Sequence, residues 1–192
     1  MEKKVFVDIS ARHVHLTQEN VNVLFGSGYQ MTPRKILGGG FVSEERVELV
    51  GPKGTIKNVA ILGPYRPTQV EISLTDAKTL GVMPPIRLSG DIKNSASITI
   101  LGPNGTLELE KGVIVAKRHM HIAKEIADQY GIVNGQVVKV RVESADRTLI
   151  FEDIPCRVQS EAPVGPPAVV HIDTDECNAA GMDGPCEGTI ME

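Results

Sequence analysis

The sequence predicts a mainly β protein with short helices, organised as two related halves. Three observations carry this. Short alternating or apolar runs recur along the chain, punctuated by Gly, Pro, Asn and Asp. Two near copies of one turn, "VGPKGTI" and "LGPNGTL", join such runs. Four stretches repeat one design, in which an apolar strand ends on His or Glu, a short helix follows and a glycine stops it.

Taken in order, "KVFVDI" alternates and reads as the first strand. "RHVH" continues as strand, and Gln18–Phe25 reads as the first helix. "RVELVG" and "IKNVAIL" flank the first Gly-Pro-x-Gly-Thr turn. There proline presets the first central position and glycine relaxes the exit. A short helix is expected over Asp76–Leu80, then strands at "SITIL" and "TLELEKGVIVA" around the second turn. "RHMH" leads into a helix over Ala123–Tyr130. "VVKVRVE", "TLIFEDIPCRV" and "AVVHID" read as strands, and Asp175–Ala180 as the last helix. Many short strands at close spacing argue for barrels or sandwiches over a βαβ sheet.

The 192 residues suffice for one large domain or two small ones. The expected division is 1–80 with part of the C-terminus as one half and 81–192 as the other. A formal charge of −4 argues against nucleic acid as the main partner. No apolar run approaches membrane-spanning length, and the N-terminus shows no secretory apolar segment. Cys156, Cys177 and Cys186 form an odd set without C-x-x-C spacing, which fits reduced thiols.

The histidines cluster. Four of the five lie in two Arg-His-apolar-His copies, as His13 with His15 and His119 with His121. The fifth, His171, ends an apolar run. The four repeated stretches open at His15, Glu71, His121 and His171, all residue types that bind zinc-like metals. From Glu71, His121 and His171 the closing glycine lies ten residues on, and from His15 it lies one further. On a strand, residues i and i+2 share a face, roughly 6–7 Å apart at Cα, so two imidazoles converge on one ion. On a helix they do not. The simplest grouping is two sites, His13 and His15 with Glu71, and His119 and His121 with His171. Three protein ligands leave positions open, the pattern of catalytic zinc. A strand–helix unit with polar first residues by chance would leave the histidine clustering unexplained.

Arg66 stands five residues before Glu71, after a Gly-Pro turn. Its planar fork suits a tetrahedral oxyanion such as phosphate. Arg12 and Arg118 precede the histidine pairs but point to the opposite strand face, which gives them a supporting role.

"DISARHVHLT", the "ILGP…R" and "TQVEIS" segments, "VAKRHMHI" and "VVHIDTDECNAAG" together resemble the PduL-type phosphate propanoyltransferases, or phosphotransacylases, over nearly the whole chain. The resemblance implies two packed β-barrel domains with a dinuclear zinc site between them. It implies reversible transfer of a short acyl group, acetyl or propanoyl, between coenzyme A and inorganic phosphate. By this likeness two Zn2+ ions per chain are held by His13, His15 and Glu71 and by His119, His121 and His171. Arg66 resembles the phosphate-binding arginine. Ile9, Ser10, Ala11, Lys53 and Asn178 match coenzyme A contacts. The implied partners are acyl-CoA or CoA and phosphate or acyl phosphate, with a homodimer left open.

Two departures stand out. The spacing from Arg66 to Glu71 is one residue shorter than the family's usual pattern. Ala60 stands where the family often has an arginine. Family members housed in bacterial microcompartments carry an N-terminal targeting extension. Here the first histidine pair begins at residue 13 and "MEKKVFVD" reads as a strand, so a cytoplasmic enzyme is expected. The alternatives are a dinuclear zinc hydrolase and a metal-binding module without turnover. The amidohydrolase barrels that also open on H-x-H are longer and rich in helices.

Overall fold

The computed structural model describes residues 2–37, 39–160 and 165–191. In chain order the elements are β1 Lys4–Ile9, β2 His13–His15, α1 Gln18–Phe25, β3 Pro33–Leu37, β4 Gly40–Val50, β5 Thr55–Gly63, β6 Gln69–Glu71, α2 Leu74–Leu80, β7 Ile86–Arg87, β8 Ala96–Leu101, β9 Thr106–Ala116, β10 His119–Ala123, α3 Lys124–Tyr130, β11 Val137–Glu143, β12 Thr148–Gln159, β13 Ala168–Ile172, α4 Thr174–Ala179 and β14 Cys186–Met191. The mainly β class with four short helices is therefore as the sequence predicts. Among the described residues no helix is long and apolar enough to cross a membrane.

The chain divides into two compact units, Ala11–Lys117 and Met1–Ser10 with Arg118–Glu192. In the first, β4-β5-β2-β6-β9-β8 closes on itself because β8 pairs with both β9 and β4. In the second, β1-β13-β10-β12-β11-β14 forms a closed barrel. Closure satisfies the strand edges that short open sheets leave exposed.

The wiring is the same in both rings. β2 and β10 each run parallel to one strand of a long hairpin, β5 or β12, and antiparallel to β6 or β13. The antiparallel pair β8 and β9 of the first unit corresponds to β14 and β1 of the second. The N-terminal strand thus completes the C-terminal ring.

This moves the domain boundary. A break after residue 80 falls inside the first unit, whose ring needs β8 and β9 for closure. The expected crossover also runs the other way: β1 pairs with β13 and β14, so the N-terminal strand joins the C-terminal residues.

The repeated Gly-Pro turns have a packing reason. Gly51 N donates to Gly54 O, and Gly102 N to Gly105 O, each at 2.9 Å. The next backbone N–H groups, of Lys53 and Asn104, donate at 3.0 Å to Leu80 O and Leu24 O, in the last turns of α2 and α1. Each turn therefore satisfies an orphan helix carbonyl. A Cβ at Gly51 would lie 2.2 Å from Leu80 O, and one at Gly102 2.4 Å from Leu24 O, so only glycine admits this approach.

Candidate metal centre

Every residue of β2 and of β6 is buried. Antiparallel pairing sets His13 opposite Glu71, Val14 opposite Val70 and His15 opposite Gln69. Directly opposed residues share a face. Val14 and Val70 enter the apolar core, so His13, His15, Gln69 and Glu71 form a two-by-two patch on the other face.

Within this patch the donors converge. His13 Nε2 lies 3.2 Å from His15 Nε2 and 3.6 Å from Glu71 Oε2, and His15 Nε2 lies 3.8 Å from Glu71 Oε1. Among the described residues this is the group whose ligand atoms all lie within 4.8 Å of one another.

The ring tautomers follow from the backbone. His13 Nδ1 meets Ala11 O at 2.8 Å and His15 Nδ1 meets Leu62 O at 3.1 Å. Only a donor faces a carbonyl, so both Nδ1 atoms carry hydrogen and both Nε2 lone pairs point into the patch. Two lone pairs and a carboxylate at one buried point require a cation. Burial alone would depress the His13 pKa, but the hydrogen bond and charge of Glu71 outweigh it and leave it raised. Burial, with the charges of His13 and Arg66, pulls His15 down to about 4. Burial works to raise Glu71, yet His13, Ser89 and His15 bring it down to about 2. A buried nitrogen–nitrogen–oxygen set whose imidazoles are oriented by second hydrogen bonds fits a zinc-type ion.

The second histidine group has the same register. His119 pairs opposite His171 and His121 opposite Val169, while Met120 and Val170 enter the core. The ring centroids of His119, His121 and His171 lie 5.0 to 5.6 Å apart. His121 Nδ1 is buried without a hydrogen-bond partner, which leaves an orphan donor–acceptor atom inside a cluster of three imidazoles. Burial, with His119, His171 and Arg157 nearby, pulls His121 down to about 4.

Arg66 is fastened beside the first group. Its backbone N donates to Leu16 O and its Nη2 donates to Ser89 Oγ, both at 3.0 Å. Two residues with no assigned role in the sequence reading also enter the site. Gln69 Nε2 donates to Glu71 Oε1 at 2.5 Å and Ser89 Oγ donates to the same oxygen at 2.7 Å. Strand alternation from Glu71 was enough to place Gln69 on the same face. Ser89 carries no comparable signal, because its position follows from the pairing of β7 with β9.

The residues matched to coenzyme A contacts are spread over the fold. Ile9 ends β1 opposite Ile172, and Ser10 N donates to Ile172 O at 2.7 Å, one residue beyond His171. Asn178 is exposed in the last turn of α4 in the same unit. Ala11 begins the other unit, where Lys53 is exposed against the end of α2 farther from Glu71. Ala60 pairs in register with His13.

Comparison with known proteins places this geometry in context. A family model described as phosphate propanoyltransferase matches residues 6–183. A phosphate propanoyltransferase of Thermotoga maritima is 51% identical over 185 residues, covering 95% of this chain and 86% of the relative. Enzymes of the same name from Shewanella putrefaciens and Clostridioides difficile are 45% and 44% identical, over 95% and 100% of this chain and 86% and 90% of theirs.

Proposed function

The chain belongs to the phosphate propanoyltransferase family, an acyltransferase family, and from that premise we propose that it moves a short acyl group reversibly between coenzyme A and inorganic phosphate at a two-zinc centre. The observation that carries the reading is the convergence of His13, His15 and Glu71 with Arg66 anchored beside them.

In this proposal His13, His15 and Glu71 hold one zinc and His119, His121 and His171 hold the second. When bound, zinc supplies Lewis-acid neutralisation of oxygen charge that builds during acyl transfer. Arg66 offers its guanidinium fork to phosphate, and its backbone tether to Leu16 limits the angles it samples. A phosphate oxygen forms the new bond to the thioester carbonyl carbon, the carbon–sulfur bond breaks, and coenzyme A departs as thiolate. No protein nucleophile enters. Cys156 and Cys177 are buried and their pKa values are raised by that burial, Cys156 to about 11, so neither supplies thiolate near neutral pH. Ile9, Ser10, Ala11, Lys53 and Asn178 are assigned to coenzyme A.

The test measures coenzyme A release from acetyl-, propanoyl- and butanoyl-CoA with and without phosphate, with metal analysis of the same sample. Phosphate-dependent release is expected. Release of free acid without phosphate would favour a hydrolase, and metal binding with no release would favour a non-enzymatic module.

A further inference from the structure

We propose that Ser89 is a positioning residue that ties Arg66 to Glu71 and, with Gln69, reserves Glu71 Oε2 for the metal. This rests on the assignment of Arg66 to phosphate and of Glu71 to metal.

A serine hydroxyl donates one hydrogen bond and accepts two. Ser89 uses all three. It donates to Glu71 Oε1 at 2.7 Å and accepts from Arg66 Nη2 at 3.0 Å and Gln69 Nε2 at 3.1 Å. Gln69 likewise spends both of its amide donors. Its Nε2 donates to Glu71 Oε1 at 2.5 Å and to Ser89, and its Oε1 accepts from Gly90 N at 2.8 Å. Every side-chain donor of Ser89 and Gln69 is therefore engaged, and a network with its donors fixed and Gln69 and Glu71 buried is stiff.

Two consequences follow. Glu71 Oε1 already accepts from Ser89 and Gln69, which occupies the lone-pair directions of one carboxylate oxygen. Oε2, the atom 3.6 Å from His13 Nε2, is the oxygen left for metal. Arg66, through Ser89, is held two bonds from the same carboxylate, so the anion-binding fork and the metal ligand share one rigid support. In the second unit Val169 stands opposite His121 where Gln69 stands opposite His15, so an apolar residue takes the glutamine's register position there. The device serves the metal group that lies beside Arg66.

The experiment compares Ser89→Ala, Ser89→Thr, Arg66→Ala and the Ser89→Ala/Arg66→Ala double variant in the full chain. Phosphate is varied at saturating acyl-CoA, then the reverse. Zinc is also titrated against a chelator on metal-free protein. Ser89→Ala is expected to raise the phosphate KM about tenfold, the order of one lost hydrogen bond to a charged group, with acyl-CoA KM moving less than about twofold. It is expected to weaken zinc at the His13–His15–Glu71 group about tenfold, as loss of a ligand's supporting hydrogen bond does. Ser89→Thr, which keeps the hydroxyl, restores both. With zinc held saturating, the double variant matches Arg66→Ala in phosphate KM, since Ser89 reaches phosphate through Arg66. Where Ser89→Ala does not fold, Ser89→Gly reads the same loss of the hydroxyl without adding a metal ligand. The inference is overturned if the two single penalties multiply, if zinc affinity is unmoved, or if phosphate kinetics are unmoved while Arg66→Ala shifts them. If Arg66→Ala itself leaves phosphate KM unchanged, the phosphate assignment fails and this inference goes with it.

Discussion

Arg118 Nη1 donates to Glu176 Oε1 at 2.5 Å, joining the residue before one histidine pair to the first turn of the helix that follows His171. Arg12 makes the same bond to Asp76, in the helix that follows Glu71. In each unit the bonded acid is also the third residue of a capping box, with Asp173 or Ser73 as N-cap. The arginine just before each strand thus clamps the strand carrying two of the proposed ligands to the helix that follows the third.

Removing the clamp costs stability. Arg118 also donates Nε to Glu152 O at 2.7 Å and lies over the Phe151 ring. Arg118→Ala is expected to cost about 1–2 kcal/mol, discounted from the value of a buried charged hydrogen bond because both partners are partly exposed. In a chain of this size that lowers Tm by roughly 2–8 °C. Arg118→Lys recovers part of the loss through charge alone. Thermal unfolding of the three proteins checks it, and an unchanged Tm for Arg118→Ala would remove the clamp from the account.

Metal content follows from the two groups. About two divalent ions per chain are expected after metal-replete purification, with zinc favoured by the donor types. His121→Ala leaves two ligands in its group and is expected to lose one ion and most activity. Elemental analysis reads both numbers. One ion or none in the unmodified protein contradicts the two-site reading.

Acidification tests the ligand assignments. In the metal-free protein His15 and His121 are held near 4, against an ordinary value of about 6.5. Between those values the unfolded chain binds more protons than the folded one, so stability rises with pH. Their contribution is complete above about 6.5 and is lost as pH falls toward 4. Glu71 acts in the same direction lower down, complete above its ordinary value of 4.5 and lost toward 2. His13, whose pKa is raised, acts oppositely and loses its contribution as pH rises through its folded value. Metal-free Tm is therefore expected to fall from pH 6.5 to 4. In the metal-loaded enzyme protons compete for the same imidazoles, so activity and metal content should fall together. Activity that drops at full metal occupancy points to another titrating group.

Arg66 separates acyl transfer to phosphate from general hydrolysis. Arg66→Ala should lose roughly one to two powers of ten in kcat/KM for phosphate, the value of one charged hydrogen bond. Arg66→Lys keeps the charge without the fork and should fall between. Metal content should stay constant, because Arg66 is not a ligand. A variant that weakens acyl-CoA alone would assign the Gly-Pro-Tyr-Arg loop to the coenzyme A site.

The sequence by itself determined the class of fold, the four helices to within about two residues, and the composition of both histidine groups. It did so because strand alternation is local. His13 and His15 share a face by spacing alone, and the repeat carries that rule to Glu71 and His171. Local spacing also left three strands unseen. β3 "PRKIL" is mostly exposed, β7 has two residues, and β14 "CEGTIM" is broken by glycine. Tertiary structure decided which strands close each ring, and so placed β1 with the C-terminal unit. It also decided how near the donors come. In register, His13 stands opposite Glu71, fifty-eight positions away, and Ser89 reaches Glu71 only because β7 pairs with β9. Pairing across such separations is set by which apolar faces fill a closed core, a property of the whole chain rather than of any window within it.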